Sequence, residues 1–523
     1  MLRSVWTPPA ALRGPPAASS YRLAGWVAAL ACTAAFGAAL ALGSPGAASA
    51  FAAGAVWLVA ALLATPLEAS AFVVTAALPV YGVGWFELGS AVGLLTLLLA
   101  TLVAASGVWA LAGWRSLLRA PPAWAFVAFA ALALASLVLA PRGPVSLELA
   151  KRYLARELLL PLALAATLVS LGRARAFALA RRLGLATVAV ASVGAVLSVV
   201  QVDRGRAYLH PGGRDTLHLA QFVGERAIGL AEAPGTWAAF LLVPLAFALA
   251  IFAHSARRGE RTATGAALVL IALALALSGL RSGWLAAGVM VALTAVAVGP
   301  SLRLRAAALT LALAGGVAAY QSHNFRVFLS GGGTAVPAAR GSTAGDVRGP
   351  ELGRARLGRD ESARFRVAIT RAELELGRRH PLFGVGLGNI GEALRELPPR
   401  FHRPSSGLVP GVPIEKHNVY SGLLAELGAP GLLLFLVLPA AGLWGLVRLR
   451  RTVRAGRDRA TVEALALALV GTLVVAAFTD ADRQVFLWWL LGLSLGLVQA
   501  SRPPAARAPA SRTSSRSPAR ARC

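Results

Sequence analysis

Apolar stretches of about 16 to 25 residues recur along the chain from Leu23 to Ala500, broken by short polar turns. A helix needs about 20 predominantly apolar residues to cross the hydrocarbon core of a bilayer. The pattern therefore predicts about fourteen membrane-spanning helices, near 23–42, 49–65, 69–84, 89–112, 123–140, 153–171, 183–201, 232–253, 262–280, 282–299, 305–320, 418–447, 461–479 and 484–500. The short pairs around Pro66 and Arg281 leave twelve or thirteen open as well.

Polar material is concentrated in two places. One is Gln201–Ala231, with His210 and His218; the other is a loop of 96 residues, about 321–416. The first half of that loop, Ser330–Asp360, is rich in Gly, Arg, Ala and Thr without apolar periodicity, and reads as a flexible linker. From Ser362 onward Phe365, Ile369, Ala372 and Leu376 recur at helical spacing until Pro381 stops the pattern. This predicts an amphipathic helix with Arg364, Arg366, Arg371, Arg378 and Arg379 around its polar side. The expected fold is all-α: a polytopic membrane protein of 12 to 14 helices with one large outer loop that contains helices. Its expected parts are an N-terminal segment 1–22, a first bundle 23–320, the loop 321–416, C-terminal spans 417–500 and a disordered tail 501–523. No internal repeat is evident, so a repeat-built transporter has no support.

Composition agrees. Of 523 residues 57% are hydrophobic and 14% charged, against roughly 25% charged in soluble domains. The net charge of +28 would suggest nucleic acid for a soluble protein; in a membrane protein its placement matters more than its sum, and no nucleic-acid partner is expected. With the N-terminus inside, the cytoplasmic segments hold 26 Lys and Arg, the short outer loops 10 and the long loop 15. Long loops are nearly exempt from the positive-inside rule, so the comparison is 26 against 10. Both termini are expected in the cytoplasm, the long loop outside, and the Arg-rich tail near anionic headgroups. Cys32 and Cys523 are not expected to pair. Ala48-Ser49-Ala50 resembles a signal-peptidase site, but the run before it is long enough to span as an uncleaved anchor. Heavy use of Ala, Arg, Gly and Leu with little Lys suggests a GC-rich bacterial genome.

Few residues name a chemistry. His417-Asn418, nine residues, then Gly428-Ala-Pro-Gly431 stand where the long loop re-enters an apolar segment. They set an imidazole able to exchange a proton near neutral pH at a membrane boundary. On a continuous helix Gly428 would lie about 20° from His417 and Gly431 about 40° on the other side, a small face for a neighbouring helix or lipid chain, with Glu426 about 180° away; a break at Pro430 would undo this phase. Arg281, within Leu277-Ser-Gly-Leu-Arg-Ser-Gly-Trp-Leu285, is either an intramembrane charge, costly and therefore a site candidate, or the tip of a hairpin reaching headgroups. Gly386-Leu-Gly388-Asn-Ile-Gly391 matches the dinucleotide fingerprint by letter, but lacks the strand and crossover helix that fingerprint needs. It is a glycine turn that either offers backbone N–H groups to a phosphate or returns the loop to the membrane. Asp480 and Asp482 could share a divalent cation, although two carboxylates are a weak signal; no zinc spacing and no Walker loop is present.

In this order, Arg281-x3-Leu285, His380-Pro-Leu-Phe-Gly384-Val-Gly386-Leu-Gly388-Asn389 and His417-Asn418-x9-Gly428-x-x-Gly431 resemble the bacterial O-antigen ligase family, with its related polymerases and protein O-oligosaccharyltransferases. Arg366, fourteen residues before His380, fits the resemblance, although Thr370 stands where such proteins usually carry tryptophan. The resemblance implies transfer of a glycan from undecaprenyl diphosphate to an acceptor hydroxyl, on lipid A-core or a similar glycolipid or glycan, at the outer face of the bacterial inner membrane. It implies His417 as general base on that hydroxyl and Arg281 as the cation that stabilises the departing diphosphate. Arg366, Arg371, Asn418, Gly386 and Gly388 would contact substrate. Neither metal nor cofactor is expected, and membrane lipids are the other partners. A polymerase or a protein O-oligosaccharyltransferase shares these parts. A lipid-linked saccharide transporter should instead set charges facing one another across several spans.

Overall fold

The computed structural model describes residues 66–80, 110–139, 154–204, 227–298 except 232, 359–398, 416–479 and 485–502, with isolated positions near 100 and at 308 and 401. Its α-helices are α1 (Pro66–Ala77), α2 (Leu111–Leu117), α3 (Pro121–Leu139), α4 (Leu160–Arg204), α5 (Pro234–His254), α6 (Arg258–Ser278), α7 (Arg281–Val298), α8 (Arg359–Arg379), α9 (Ile390–Ala393), α10 (Val419–Thr452), α11 (Arg457–Ala476) and α12 (Val485–Ala500). No strand occurs among the described residues. Helices α4, α5, α6, α10 and α11 are long and apolar enough to cross a membrane, and α2 with α3, bent by 87°, makes a sixth if taken as one span. Helices α1, α7 and α12 are shorter and apolar. The chain is an all-α polytopic membrane protein. The spans expected near 23–42, 49–65 and 305–320, most of 89–112, the pair His210 and His218, the linker, Asp480, Asp482 and the tail lie outside the described residues.

Two expected spans, 153–171 and 183–201, form one helical run in α4, broken at Gly172, where φ is 73° and ψ 167°. Straight, the run would measure about 67 Å, twice a bilayer core. Its halves run in opposite senses along their neighbours. Pro161 and Ala165 lie against Gly492 and Gly496 of α12, rising together in number, whereas Gly184 meets Phe247 and Gly194 meets Trp237 of α5, in reverse order. A Cβ at Gly492 would stand 2.6 Å from Pro161 Cα and one at Gly496 2.7 Å from Ala165 Cα. Small residues here let two backbones touch, the way helices gain packing contact in lipid.

Helix α5 is buried almost from end to end and packs against α4, α6, α7 and α11. In a dry interior polar side-chain groups must find partners; Trp237 Nε1 donates to Ser198 Oγ at 3.1 Å and Trp489 Nε1 to Thr75 Oγ1 at 2.8 Å. Ions gather at one end of the bundle. Glu463 of α11 accepts from Arg450 Nε at 2.7 Å and Arg459 Nε at 3.1 Å and sits 2.6 Å from His254 Nε2. Arg450 also donates to Ala297 O at 3.0 Å, so one carboxylate gathers the ends of α5, α7, α10 and α11. Glu260 pairs with Arg181, and Glu68 with Arg175 at 2.7 Å. The candidate chemistry lies at the other end.

Candidate active site at the break in helix α10

The loop helix α8 forms where the apolar periodicity places it. Ile369, Ala372 and Leu376 are fully buried and build a small core with Val385, Ile390, Ala393, Leu394, Leu397 and Ala425, with Phe365 packed against it. Arg366, Arg371 and Arg378 are exposed. Arg378 and Arg379 both bond Glu375, and those bonds, Arg378 first, pull its carboxyl down to about 2. Arg371 makes no ion pair among the described residues. Glu373, on the buried side of the same helix, accepts a 2.5 Å hydrogen bond from Ser421 Oγ, which fastens α8 to the first turn of α10.

Helix α10 is not a continuous rod. Gly428 takes φ 70° and ψ −172°, outside the helical region. In a straight helix the fifteen residues from Tyr420 to Phe435 would rise about 22 Å, yet their ring centroids are 6.4 Å apart. The helix therefore bends sharply at Gly428. The part after the bend, about 36 Å long, is sufficient to span the membrane, and the part before it carries His417 and Asn418 at its start. This corrects the expected helical phase: Gly428 and Gly431 do not share one face with His417, because the helix that would put them there ends between them.

The glycine turn closes around this bend. Ala429 N donates to Pro381 O at 2.7 Å, Val385 N to Ala425 O at 2.8 Å and Gly386 N to Glu426 O at 2.9 Å. Gly388 N donates to the Glu426 carboxylate at 3.0 Å. The other carboxylate oxygen of Glu426 accepts from Lys416 Nζ at 2.8 Å, and both side chains are shut off from solvent, with 0% and 1% exposed. The approach is close enough to exclude side chains: at Gly384, with φ 63°, a Cβ would lie 2.3 Å from the Glu426 carbonyl carbon. Thus the N–H groups of Gly386 and Gly388, expected to face substrate, are engaged with Glu426. Glu426 itself, read from the sequence only as pointing away from His417, joins the residue before His417 to the glycine turn.

His417 is half-buried, its ring edge-on to Phe365 of α8 at 5.7 Å between centroids. Asn418 caps the helix, its Oδ1 accepting from Tyr420 N at 2.9 Å and Ser421 N at 3.3 Å. Arg281 is the exposed first residue of α7, just beyond the left-handed Gly279 that ends α6, which is the hairpin-tip alternative of the two left open by its sequence. Beside it, Ser282 Oγ is buried without a hydrogen-bond partner among the described residues.

Helix α11 relates the two residues. Met290 of α7 packs at Gly471, where a Cβ would meet its Sδ at 2.5 Å, and Tyr420 Oη donates to Leu473 O at 2.8 Å. The two contact points are about 3 Å apart along α11. Arg281 begins α7 about 13 Å before Met290, while the far ends of α7 and α10 meet at Arg450 and Ala297. Arg281 and His417 therefore belong to the same end of the bundle, opposite Glu463. Among the described residues no group of three or more His, Cys, Asp or Glu side chains is placed to hold a metal ion.

Sequence reasoning missed Lys416, Glu426 and Glu373. For Glu426 the available signal was a carboxylate inside an apolar segment, the criterion that singled out Arg281. A comparison with curated proteins finds no match. Residues 266–436 match the family model described as O-antigen ligase, a stretch that contains Arg281, α8, the glycine turn and the bend of α10. Over that third of the chain the protein is similar to the O-antigen ligase family.

Proposed function

We propose that this protein transfers a glycan from undecaprenyl diphosphate to an acceptor hydroxyl, on lipid A-core or a similar glycolipid, at the periplasmic face of the bacterial inner membrane. The observation that carries this reading is the placement of an imidazole, His417, and an exposed guanidinium, Arg281, at one end of the helix bundle. The acceptor hydroxyl gives its proton to His417 as its oxygen attacks the anomeric carbon. The bond from that carbon to the diphosphate oxygen breaks, and undecaprenyl diphosphate leaves with the negative charge. Arg281 meets that charge at the N-terminus of α7, where the helix dipole adds to it. Arg366 and Arg371 hold the anionic donor from α8. Asn418 spends its carbonyl oxygen on the helix cap, so its amide N–H groups are what it offers to substrate. Gly386 and Gly388 contribute by holding the turn against Glu426.

The glycosyl–diphosphate bond supplies the free energy, so the reaction needs no nucleotide, and the arginines take the part of the cation that neutralises the departing diphosphate. Charge supports the orientation: Lys and Arg favour the segments placed inside by 26 to 10, and the Glu463 end of the bundle carries Arg450 and Arg459. Both termini are then cytoplasmic.

Deletion of the gene should leave lipopolysaccharide uncapped, as read on a gel of extracted lipid, and the wild-type gene should restore the ladder. The Arg281→Ala gene should restore it about 10²- to 10³-fold less efficiently, the loss typical when one donor to a developing anion is removed. Capping by single repeats after deletion would assign a polymerase, and loss of protein glycosylation with intact lipopolysaccharide a protein O-oligosaccharyltransferase; either result overturns the ligase reading.

A further inference from the structure

The turn between α8 and the glycine segment carries two large apolar side chains in the open, Leu382 at 64% and Phe383 at 50% exposure. In a water-filled loop that would be costly. Its position is fixed by the bend in α10: Pro381 O accepts from Ala429 N, and a Cβ at Gly428 would touch Pro381 O and Leu382 C. Ala429 lies one helical turn before Leu433. Leu433, Leu436, Val437, Trp444 and Val447 are all exposed and recur at helical spacing along the spanning part of α10, which is how a helix shows its lipid-facing side. Leu382 and Phe383 thus extend the lipid-facing stripe at its His417 end.

The charges beside the turn fit a membrane surface. Arg371 and Arg378 are exposed on the side of α8 opposite Ile369, about 200° and 180° from it, with the exposed Val367 and Leu374 beside them at about 160° and 140°. Basic side chains flanking apolar ones are the pattern of a helix lying in the headgroup region. Arg side chains reach phosphates while apolar neighbours enter the acyl layer.

We infer that residues 378–383 form a membrane anchor within the long loop: Leu382 and Phe383 insert among the acyl chains of the leaflet on the His417 side, with Arg371 and Arg378 on its anionic headgroups. The occupant is phospholipid. The anchor holds α8, and with it Phe365 beside His417, at the depth where a lipid-linked substrate presents its polar head. The anchor itself depends only on α10 crossing the membrane, so it stands or falls apart from the proposed reaction.

The test uses the full chain in vesicles of phosphatidylethanolamine and phosphatidylglycerol. Cys32 and Cys523 are replaced by serine, and a nitroxide is attached to Leu382→Cys, to Phe383→Cys or, as the headgroup-level reference, to Arg371→Cys. Collisions with oxygen and with a water-soluble nickel chelate are measured by power saturation. Labels at 382 and 383 should favour oxygen and exclude nickel, with the order reversed at 371. Equal access of nickel to all three positions overturns the anchor. Exclusion of both relaxants at 382 and 383 also overturns it, since that marks cover by protein rather than lipid.

Discussion

His417→Ala is expected to lower glycan transfer by about 10²- to 10⁴-fold, the range that general base catalysis contributes, while the protein stays folded in the membrane. Stability should survive because neighbouring residues fasten this end of the helix. The imidazole is half-buried, its ring edge-on to Phe365. The attachments that position this end of α10 belong to its neighbours: Lys416 to Glu426, Asn418 to the helix cap, Ser421 to Glu373 and Tyr420 to Leu473. Loss of the imidazole should therefore act on kcat with the protein's yield and melting temperature unchanged. Transfer at the wild-type rate by the alanine variant would remove His417 from the mechanism.

The second large effect is on folding. Lys416 and Glu426 form an ion pair with neither side chain open to solvent. Removing one partner from such a pair leaves an uncompensated charge and costs about 3–5 kcal/mol. Glu426→Gln keeps an acceptor for the Gly388 N–H but takes the counter-charge from the buried ammonium; Lys416→Met takes it from the buried carboxylate. Each single variant should unfold at markedly lower temperature in detergent, followed by intrinsic tryptophan fluorescence. The double variant Lys416→Met/Glu426→Gln should recover most of that loss, because neutral replacements of a buried pair are often tolerated. Wild-type stability in either single variant would show that the pair does not hold the turn.

Much of the fold was legible because lipid and water impose strong local patterns. Apolar runs located α5, α6, α10 and α11 within a few residues, and the 3.6-residue period in the loop identified the face of α8 that is buried, Ile369, Ala372 and Leu376. What was not legible depends on contacts distant in sequence. Pro430 left a broken or a continuous helix open, and the break is placed at Gly428 by its backbone, by Tyr420 reaching Phe435 and by the turn at Pro381 closing over it. The glycines of 386–391 read locally as either a phosphate cradle or a turn back to the membrane. The N–H groups of Gly386 and Gly388 go to Glu426, 38 residues beyond Gly388, a pairing no periodicity could reveal. The same limit applied to α4, where 172–182 continued as helix because its polar residues still suit one, with Gly172 alone supplying the bend.

The central claim is that Arg281 and His417 serve a group transfer rather than a passage. Purified protein in vesicles, given undecaprenyl-diphosphate-linked glycan labelled in the sugar, an unlabelled lipid acceptor and a metal chelator, decides it. Label is expected on the acceptor with stoichiometric release of undecaprenyl diphosphate, and neither product with His417→Ala. Labelled donor that crosses the vesicle membrane with its glycosyl–diphosphate bond intact, or transfer that stops in chelator and resumes with added divalent cation, would contradict it.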